Sequence, residues 1–232
     1  QKINTLERQD NKRILEQLQK DLNLLDRPRY IECFDNSNMQ GTNAVAACVV
    51  FKNAKPSKKD YRHFNIKTVE GPDDFASMEE VVYRRYKRLL KESLPLPELI
   101  VIDGGRGQLS SAAKSLDKLN LRGKVAIVGI AKRLEEIYFP GDSVPLYLDK
   151  RSESLKLIQQ LRDEAHRFGI THHRNQRSKM SLGTSLDSIT GIGPKTIELL
   201  ITRFGSVKKV LAADKKELEG LIGENKTTLL FK

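Results

Sequence analysis

The chain has 232 residues and a formal net charge of +11, with 41 lysine and arginine residues against 30 acidic ones. This length suits one larger domain with a small appended domain, and the basic excess favours a polyanionic partner, above all nucleic acid. No apolar run reaches the roughly 18 residues of a membrane-spanning helix, and no segment has the pattern of a basic amphipathic anchor, so we expect no membrane partner.

The two cysteines, Cys33 and Cys48, lie inside apolar runs and lack the spacing of a zinc site. We therefore expect neither a disulfide nor a zinc scaffold, and we expect a reducing, cytoplasmic location. The chain has no signal peptide and opens without Met in a charged helical stretch, which indicates a piece of a longer protein.

Residues 1–28 are polar and end in Arg27-Pro28. They are predicted to form a short helix and a connector, because the residue before a proline is pushed out of the α region. Short connections join the β-type runs that come next, which predicts an antiparallel meander. These runs are Tyr30–Asp35, Ala44–Lys52 and Tyr61–Lys67.

A long amphipathic helix is predicted after Asp73-Asp74, because the apolar residues that follow have helical spacing. The run Leu99–Ile102 is apolar on both alternating faces, as in a central parallel strand, and it stops at Asp103. The larger domain is completed by a helix over about 108–119, a strand over 125–130, a hairpin across 139–142 and a helix over about 153–168.

This order of elements matches a mixed sheet of the ribonuclease H type, in which the first strand lies beside and parallel to the fourth. Asp35 and Asp103 end those two strands, so their carboxylates are expected to be neighbours. The sequence therefore predicts an α/β chain with a ribonuclease H-like domain at 29–180. A small all-α domain is expected at 181–232, with the boundary near Lys179–Ser185.

Asp35, Asp103 and His166 are the candidate catalytic and metal-binding residues. Hydrolysis of a phosphodiester needs a cation to neutralise the transferring phosphoryl group and to activate water, and carboxylates and imidazoles hold such ions, here Mg²⁺ or Mn²⁺. The alternatives are that the two aspartates only end strands or cap turns, and that the histidine is held by one structural hydrogen bond.

Positive charge is concentrated between Ala165 and Met180, a stretch without acidic residues that has the density of a phosphate-facing surface or of a solvated charged face. Arg167, Arg174 and Arg177 are its candidate DNA contacts. The stretch also contains His172, His173 and Lys179.

Two further motifs leave alternatives open. Asp73 and Asp74 could both serve the start of a helix, or one of the two could be a further catalytic group. The run Gly104-Gly105-Arg106-Gly107 lacks the spacing of a phosphate-binding loop and of a dinucleotide fingerprint, so nucleotide binding is disfavoured.

The run Gly191-Ile192-Gly193-Pro194-Lys195 is a helix-hairpin-helix signature, in which glycines let backbone amides approach a DNA phosphate at a helix N-terminus. The candidate DNA-contact residues of this run are Gly191, Gly193 and Lys195. A second, degenerate copy follows about thirty residues on; it keeps Gly223 but has Leu221 in place of the first glycine.

These motifs together resemble the C-terminal half of the UvrC subunit of the bacterial excinuclease, over nearly all of residues 29–232. The matching segments are Ile31–Ser37, Tyr61-Arg62, the Asp73-Asp74 helix with Arg84-Arg85-Tyr86, Ile102–Gly105, Arg162–Arg167 and His173-Arg174.

The resemblance implies a ribonuclease H-like endonuclease followed by tandem helix-hairpin-helix motifs, which makes the 5′ incision beside a lesion in double-stranded DNA. It implies Asp35, Asp103 and His166 as a catalytic triad, with Asp74 at a further acidic position. The family's partners are UvrB, contacted through an N-terminal part missing here, and indirectly UvrA. The remaining alternatives are a non-catalytic DNA-binding module and a nucleotide-dependent switch.

Overall fold

The computed structural model describes the backbone of residues 2–37, 45–69, 71–131 and 135–231, and their side chains apart from those of 2–4, 37, 172–185 and 187. The chain divides into two compact units, Gln1–Ile170 and Thr171–Lys232. Within the described ranges, no helix combines the length and the apolar character needed to cross a membrane.

The first unit is built on one sheet with helices on its faces. Its helices are α1 (Lys2–Asp21), α2 (Asp74–Lys91), α3 (Arg106–Lys118) and the first part of α4 (Glu153–Asp187). Its strands are β1 (Tyr30–Ser37), β2 (Val45–Lys52), β3 (Lys55–Pro56), β4 (Arg62–Asn65), β5 (Leu99–Asp103), β6 (Ala126–Ala131) and β7 (Glu136–Tyr138), with a 3-10 turn at Lys58–Asp60.

The described strands lie in the order β3-β2-β1-β5-β6-β7, and β4 also pairs with β2. The pairs β1–β2 and β2–β4 are antiparallel, whereas β1–β5 and β5–β6 are parallel. This topology confirms the predicted mixed α/β sheet, with the first strand beside and parallel to the strand that ends in Asp103.

The sheet separates two apolar cores. One face packs against α1 and α4, and the other against α2 and α3. Strand β1 serves both faces, because successive side chains of a strand point to opposite sides. Thus Cys33 belongs to the core under α1 and α4, and Phe34 belongs to the core under α2 and α3.

The N-terminal helix differs from the connector expected for residues 1–28. Leu15, Leu18 and Leu22 are each no more than 2% exposed and pack in the same core cluster as Ile31 and Leu157. Their spacing of three and four residues places them on one face of α1. This face makes α1 part of the packed unit, although the composition of the segment is polar.

Helix α4 also differs from the expectation, since it runs to Asp187 instead of ending near residue 168. The boundary expected near Lys179–Ser185 therefore falls inside a helix. The sequence between Phe168 and Asp187 contains no proline to stop it.

A buried charged network joins β1 to α2. Glu32 is fully buried, and its carboxylate accepts hydrogen bonds from the Arg85 guanidinium, from Tyr30 Oη and, at 2.8 Å, from Tyr86 Oη. The carboxylate of Glu32 is the main reason, after burial itself, that the pKa of Tyr86 lies well above its usual value. Each negative oxygen is thereby compensated inside the core.

The first prediction concerns this network. Glu32→Gln should lower the free energy of unfolding by about 3–5 kcal/mol, because it leaves the buried Arg85 cation without its anion. Tyr86→Phe, which removes one hydrogen bond and keeps the ring, should cost only ~1 kcal/mol. Urea unfolding followed by circular dichroism measures both.

The matched control is Arg88→Ala, which breaks the exposed Arg88–Glu92 pair on the same helix. It should change the free energy of unfolding by less than about 0.5 kcal/mol. Equal losses for Glu32→Gln and Arg88→Ala would mean that the buried network does not hold α2 to the sheet.

Candidate functional site

Two carboxylates meet at the last residue pair between the parallel strands β1 and β5, two residues before β1 itself ends. Asp35 of β1 and Asp103 of β5 are paired in register, and they are only 2% and 3% exposed. The β5 strand stops after Asp103 because Gly104 turns the chain, with its amide donating to the carbonyls of Ile102 and Ile130. The parallel pairing thus places both carboxylates on one edge of the sheet.

Helix α4 brings the third residue, His166. The imidazole Nδ1 lies 3.1 Å from Oδ2 of Asp35, and about half of the side chain is exposed. The helix is held against the sheet by apolar residues on one of its faces, which are Leu157, Ile158, Leu161 and Ala165.

These three side chains form a candidate metal centre, since each offers a ligand atom and all these atoms lie within 4.8 Å of one another. Two buried carboxylates side by side repel each other and have lost their hydration. A divalent cation shared by Asp35, Asp103 and His166 would offset both costs, and two oxygens with one imidazole nitrogen suit Mg²⁺ or Mn²⁺. The residues present therefore fit such an ion.

Asp73 and Asp74 have different positions at the start of α2. Asp73 is the helix cap, because its Oδ1 accepts from the amides of Phe75 at 3.0 Å and Ala76 at 2.9 Å. Asp74 is the exposed first residue of the helix, and its carbonyl accepts a hydrogen bond from Asn36 Nδ2 at 2.9 Å. This bond connects the start of α2 to the residue after Asp35. Asp74 therefore lies near the candidate metal centre but does not belong to its three-residue cluster.

The glycines after Asp103 permit close packing. A Cβ atom on Gly104 would lie 1.6 Å from Gln108 Oε1, and one on Gly107 would lie 2.5 Å from Cε1 of Phe75. The Phe75 ring therefore lies directly on the first turn of α3. This packing accounts for Gly107, whereas a Cβ atom on Gly105 would meet nothing within 4 Å.

The candidate DNA contacts on α4 are only partly described. Arg167 donates from Nε and Nη2 to the Glu164 carboxylate at 2.6 and 2.8 Å, so its guanidinium already has an anionic partner. The side chains of Arg174 and Arg177, and with them His172, His173 and Lys179, lie outside the described residues.

His63, a residue that the sequence pattern did not single out, contacts Phe168 of α4. Their rings stack with centroids 3.7 Å apart, and His63 Nε2 lies 3.1 Å from the carbonyl oxygen of Phe168. The sequence gives no local signal for this contact, which depends on the register that sets His63 opposite Ala47, itself opposite Asp35.

In the described part of the second unit, the end of α4 and four short helices surround a separate core. The short helices are α5 (Pro194–Phe204), α6 (Val207–Leu211), α7 (Lys215–Ile222) and α8 (Glu224–Leu230). Helix α5 begins with Gly193 as its cap and Pro194 in its first turn, and Lys195 is exposed. Gly191 has a φ of +101°, and a Cβ atom there would lie 2.7 Å from Leu229 Cδ1.

The degenerate copy has a different charge at its turn. Gly223, with a φ of +84°, caps α8, and the exposed Glu224 and Asn225 follow where the first copy has Pro194 and Lys195. A carboxylate beside the amides of a helix start competes with a phosphate for them. The two hairpins are therefore not equivalent anion sites.

Comparison with known families matches both units. The UvrC RNase H endonuclease domain model matches residues 19–170, and a SAM-like helix-hairpin-helix tandem model matches residues 184–229.

Similar proteins carry the name UvrABC system protein C. The one from Flavobacterium johnsoniae is 70% identical over 92% of this chain, and the one from Christiangramia forsetii is 67% identical over 94%. A third, from Porphyromonas gingivalis, is 62% identical over 94% of the chain. The chain spans only 36% of the length of each of these relatives.

The solved structures that match are more distant. Human ENDOV is 13% identical, with a TM-score of 0.41, over 73% of this chain and 99% of that one. A Ciona intestinalis endonuclease V in complex with DNA is 19% identical with a TM-score of 0.35, over 71% and 68% of the two chains.

The family model covers well over half of the chain, and its match contains all three residues of the candidate metal centre. Together with the relatives, this match shows that the chain belongs to the UvrC family and carries that family's RNase H endonuclease domain.

Proposed function

We propose that this chain is a metal-dependent DNA endonuclease that makes the 5′ incision beside a lesion in nucleotide excision repair. The observation that carries the proposal is the cluster of Asp35, Asp103 and His166 in a UvrC RNase H endonuclease domain. A module that only binds DNA has no need of two buried carboxylates next to an imidazole, since burying such charges is costly.

In the proposed mechanism, Asp35, Asp103 and His166 hold Mg²⁺ or Mn²⁺. When bound, the ion neutralises charge on the scissile phosphate and lowers the pKa of a water. The strand ends keep the two carboxylates in register, and the 3.1 Å contact with Asp35 orients the His166 ring. Asp74 is proposed as a further acidic group at the edge of this site.

DNA binding is proposed to come mainly from the first hairpin, which contains the run Gly191–Lys195. Exposed amides at the start of α5 and the Lys195 ammonium can hold backbone phosphates, with Gly191 and Gly193 allowing close approach. Gly223 is a weaker contact, because Glu224 stands beside it. Arg167, Arg174 and Arg177 remain proposed strand contacts.

The proposed partners are double-stranded DNA with a lesion, UvrB, and indirectly UvrA, in the bacterial cytoplasm. Since the chain spans 36% of the relatives' length, UvrB is expected to be contacted through the part of the protein that precedes these residues.

The second prediction tests the carboxylates. Asp35→Asn and Asp103→Asn should each lower DNA nicking by at least about a hundredfold and weaken Mn²⁺ binding, because each removes a metal-binding charge. Affinity for duplex DNA should stay within about twofold, since few phosphate contacts are lost. Nicking of a supercoiled plasmid and Mn²⁺ titration measure these effects.

The control for these variants is Asp117→Asn, which changes an exposed carboxylate paired with Arg122. It should nick DNA and bind Mn²⁺ as the unchanged chain does. Wild-type nicking and Mn²⁺ binding by Asp35→Asn or Asp103→Asn would contradict the proposed site.

The third prediction concerns the imidazole. His166→Ala should weaken Mn²⁺ binding by about tenfold or more, because the ion loses its nitrogen ligand while both carboxylates remain. His172→Ala, a histidine variant on the same helix, should keep the wild-type affinity. The reverse result in calorimetric titration would show that the ligand histidine is misassigned.

The fourth prediction tests the first hairpin. Gly193→Ala should weaken duplex binding several-fold at all sequences alike, because a methyl group obstructs the approach of a phosphate. The fold tolerates it, since φ is −86° and no atom lies within 4 Å of the added Cβ. Lys195→Ala should reduce the slope of log affinity against log salt by about 0.9.

The matched control is Gly220→Ala, in α7 of the same unit, where an added Cβ also meets no atom within 4 Å. Fluorescence anisotropy over a range of salt concentrations gives affinity and slope together. If Gly193→Ala and Lys195→Ala bind DNA with the affinity and salt dependence of Gly220→Ala, the first hairpin does not bind the DNA backbone.

A further inference from the structure

A row of directly paired residues crosses the sheet at the level of the candidate metal centre. His63 of β4 is opposite Ala47 of β2, Ala47 is opposite Asp35 of β1, and Asp35 is opposite Asp103 of β5. Paired residues point to the same face of a sheet, and this is the face covered by α4. His63 therefore lies in the same row as the two carboxylates, two strands away from Asp35.

Helix α4 crosses this row with different residues on its two flanks. Successive residues of an α-helix are rotated by about 100°, so Glu164 and Phe168 lie within ~40° of each other, and His166 is ~160–200° away from both. His166 faces Asp35, whereas Glu164 faces Tyr61 just before β4, and the Phe168 ring faces His63 of β4. A rotation of the helix about its axis would move His166 away from Asp35 and break the contacts on the opposite flank at the same time.

Phe168 is held by aromatic packing and by a backbone hydrogen bond. The His63 ring stacks on it at 3.7 Å with an interplanar angle of 19°, and the Tyr61 ring meets it edge-on at 5.1 Å. Because a carbonyl oxygen only accepts, the 3.1 Å contact between His63 Nε2 and the Phe168 carbonyl places a hydrogen on Nε2. One nitrogen of His63 is thus engaged with the helix backbone.

Glu164 is held by a second hydrogen bond from the same strand region. Tyr61, only 7% exposed, donates from its hydroxyl to Glu164 Oε1 at 3.0 Å. The Arg167 guanidinium holds the pKa of Glu164 below its usual range, so the acceptor is a carboxylate. Hydrogen bonds to charged acceptors are stronger than those between neutral groups.

We infer that Tyr61 and His63 are positioning residues that clamp α4 in the rotation that presents His166 to the metal centre. The inference rests on the proposed function of His166 as a ligand. Tyr61 and His63 contact α4 where its packing against the sheet ends, since Ala165 is buried in the core and Phe168 is only partly buried against it. Among the described side chains His63 does not belong to the cluster of possible ligands, so its role is indirect.

The test uses two clamp variants and direct Mn²⁺ binding to the 232-residue chain. Tyr61→Phe removes the bond to Glu164 and keeps the ring, and His63→Ala removes the stack and the bond to Phe168. Each should weaken Mn²⁺ binding by about three- to tenfold, the order expected for one lost hydrogen bond. His63→Gln, whose amide can donate to the same carbonyl, should recover part of the loss.

The matched control is Tyr147→Phe, which removes another tyrosine–glutamate hydrogen bond of the same unit, from Tyr147 to Glu136. It should leave the Mn²⁺ affinity unchanged. Thermal unfolding followed by circular dichroism identifies the folded variants, and Tyr61→Phe carries the test if His63→Ala does not fold. Unchanged Mn²⁺ affinity in a folded Tyr61→Phe would overturn the clamp.

Combining the clamp variants with His166→Ala separates a failed clamp from a failed site. If the clamp acts through His166, Tyr61→Phe and His63→Ala should have no further effect on Mn²⁺ binding once the imidazole is gone. An undiminished further loss would overturn the inference. If His166→Ala itself binds Mn²⁺ normally, both the proposed ligand set and the clamp are wrong. If only His166→Ala loses Mn²⁺ affinity, the clamp is wrong and the proposed ligand set stands.

Discussion

The parallel pairing of β1 with β5 is the constraint on which the candidate site depends. It puts Asp35 directly opposite Asp103, so two carboxylates from residues far apart in sequence become neighbours inside the protein. Because a shift by one residue turns every side chain of a strand to the other face, this register leaves no freedom in where the charges point. Everything else at the site, including the position of α4, is arranged around that fixed pair.

Strand β1 buries two acidic residues, and the protein compensates them differently on its two faces. Glu32 points toward α2, where Arg85 neutralises its charge, and the hydroxyls of Tyr86 and Tyr30 donate hydrogen bonds to it. Asp35 points toward α4, where it meets Asp103 and a half-exposed imidazole. A closed internal network stabilises a fold, whereas an acidic cluster open on one side suits an ion from solution. The same strand thus contributes both to the buried charged network and to the candidate metal centre.

The mixed sheet and its pair of carboxylates could be predicted from the sequence, because the runs that begin at Tyr30, Ala44 and Leu99 have strand-like patterns and because Asp35 and Asp103 end two of the predicted strands. Two kinds of feature could not. The buried face of α1 is hidden by a polar composition, and only Leu15, Leu18 and Leu22 show where it packs. The contacts of His63 join residues 105 positions apart, and no local pattern encodes such a pairing.

The two hairpins of the second unit differ in the charge at their helix starts. The first keeps Pro194 and Lys195 at its helix start, whereas the second has Glu224, which makes it a poorer place for a phosphate. The second copy instead supports the first, since the Leu229 side chain fills the space beside Gly191 and Lys226 Nζ donates to Thr196 Oγ1 at 3.2 Å. The second copy, with Leu221 in place of the first glycine, therefore keeps the packing that supports the turn at Gly191.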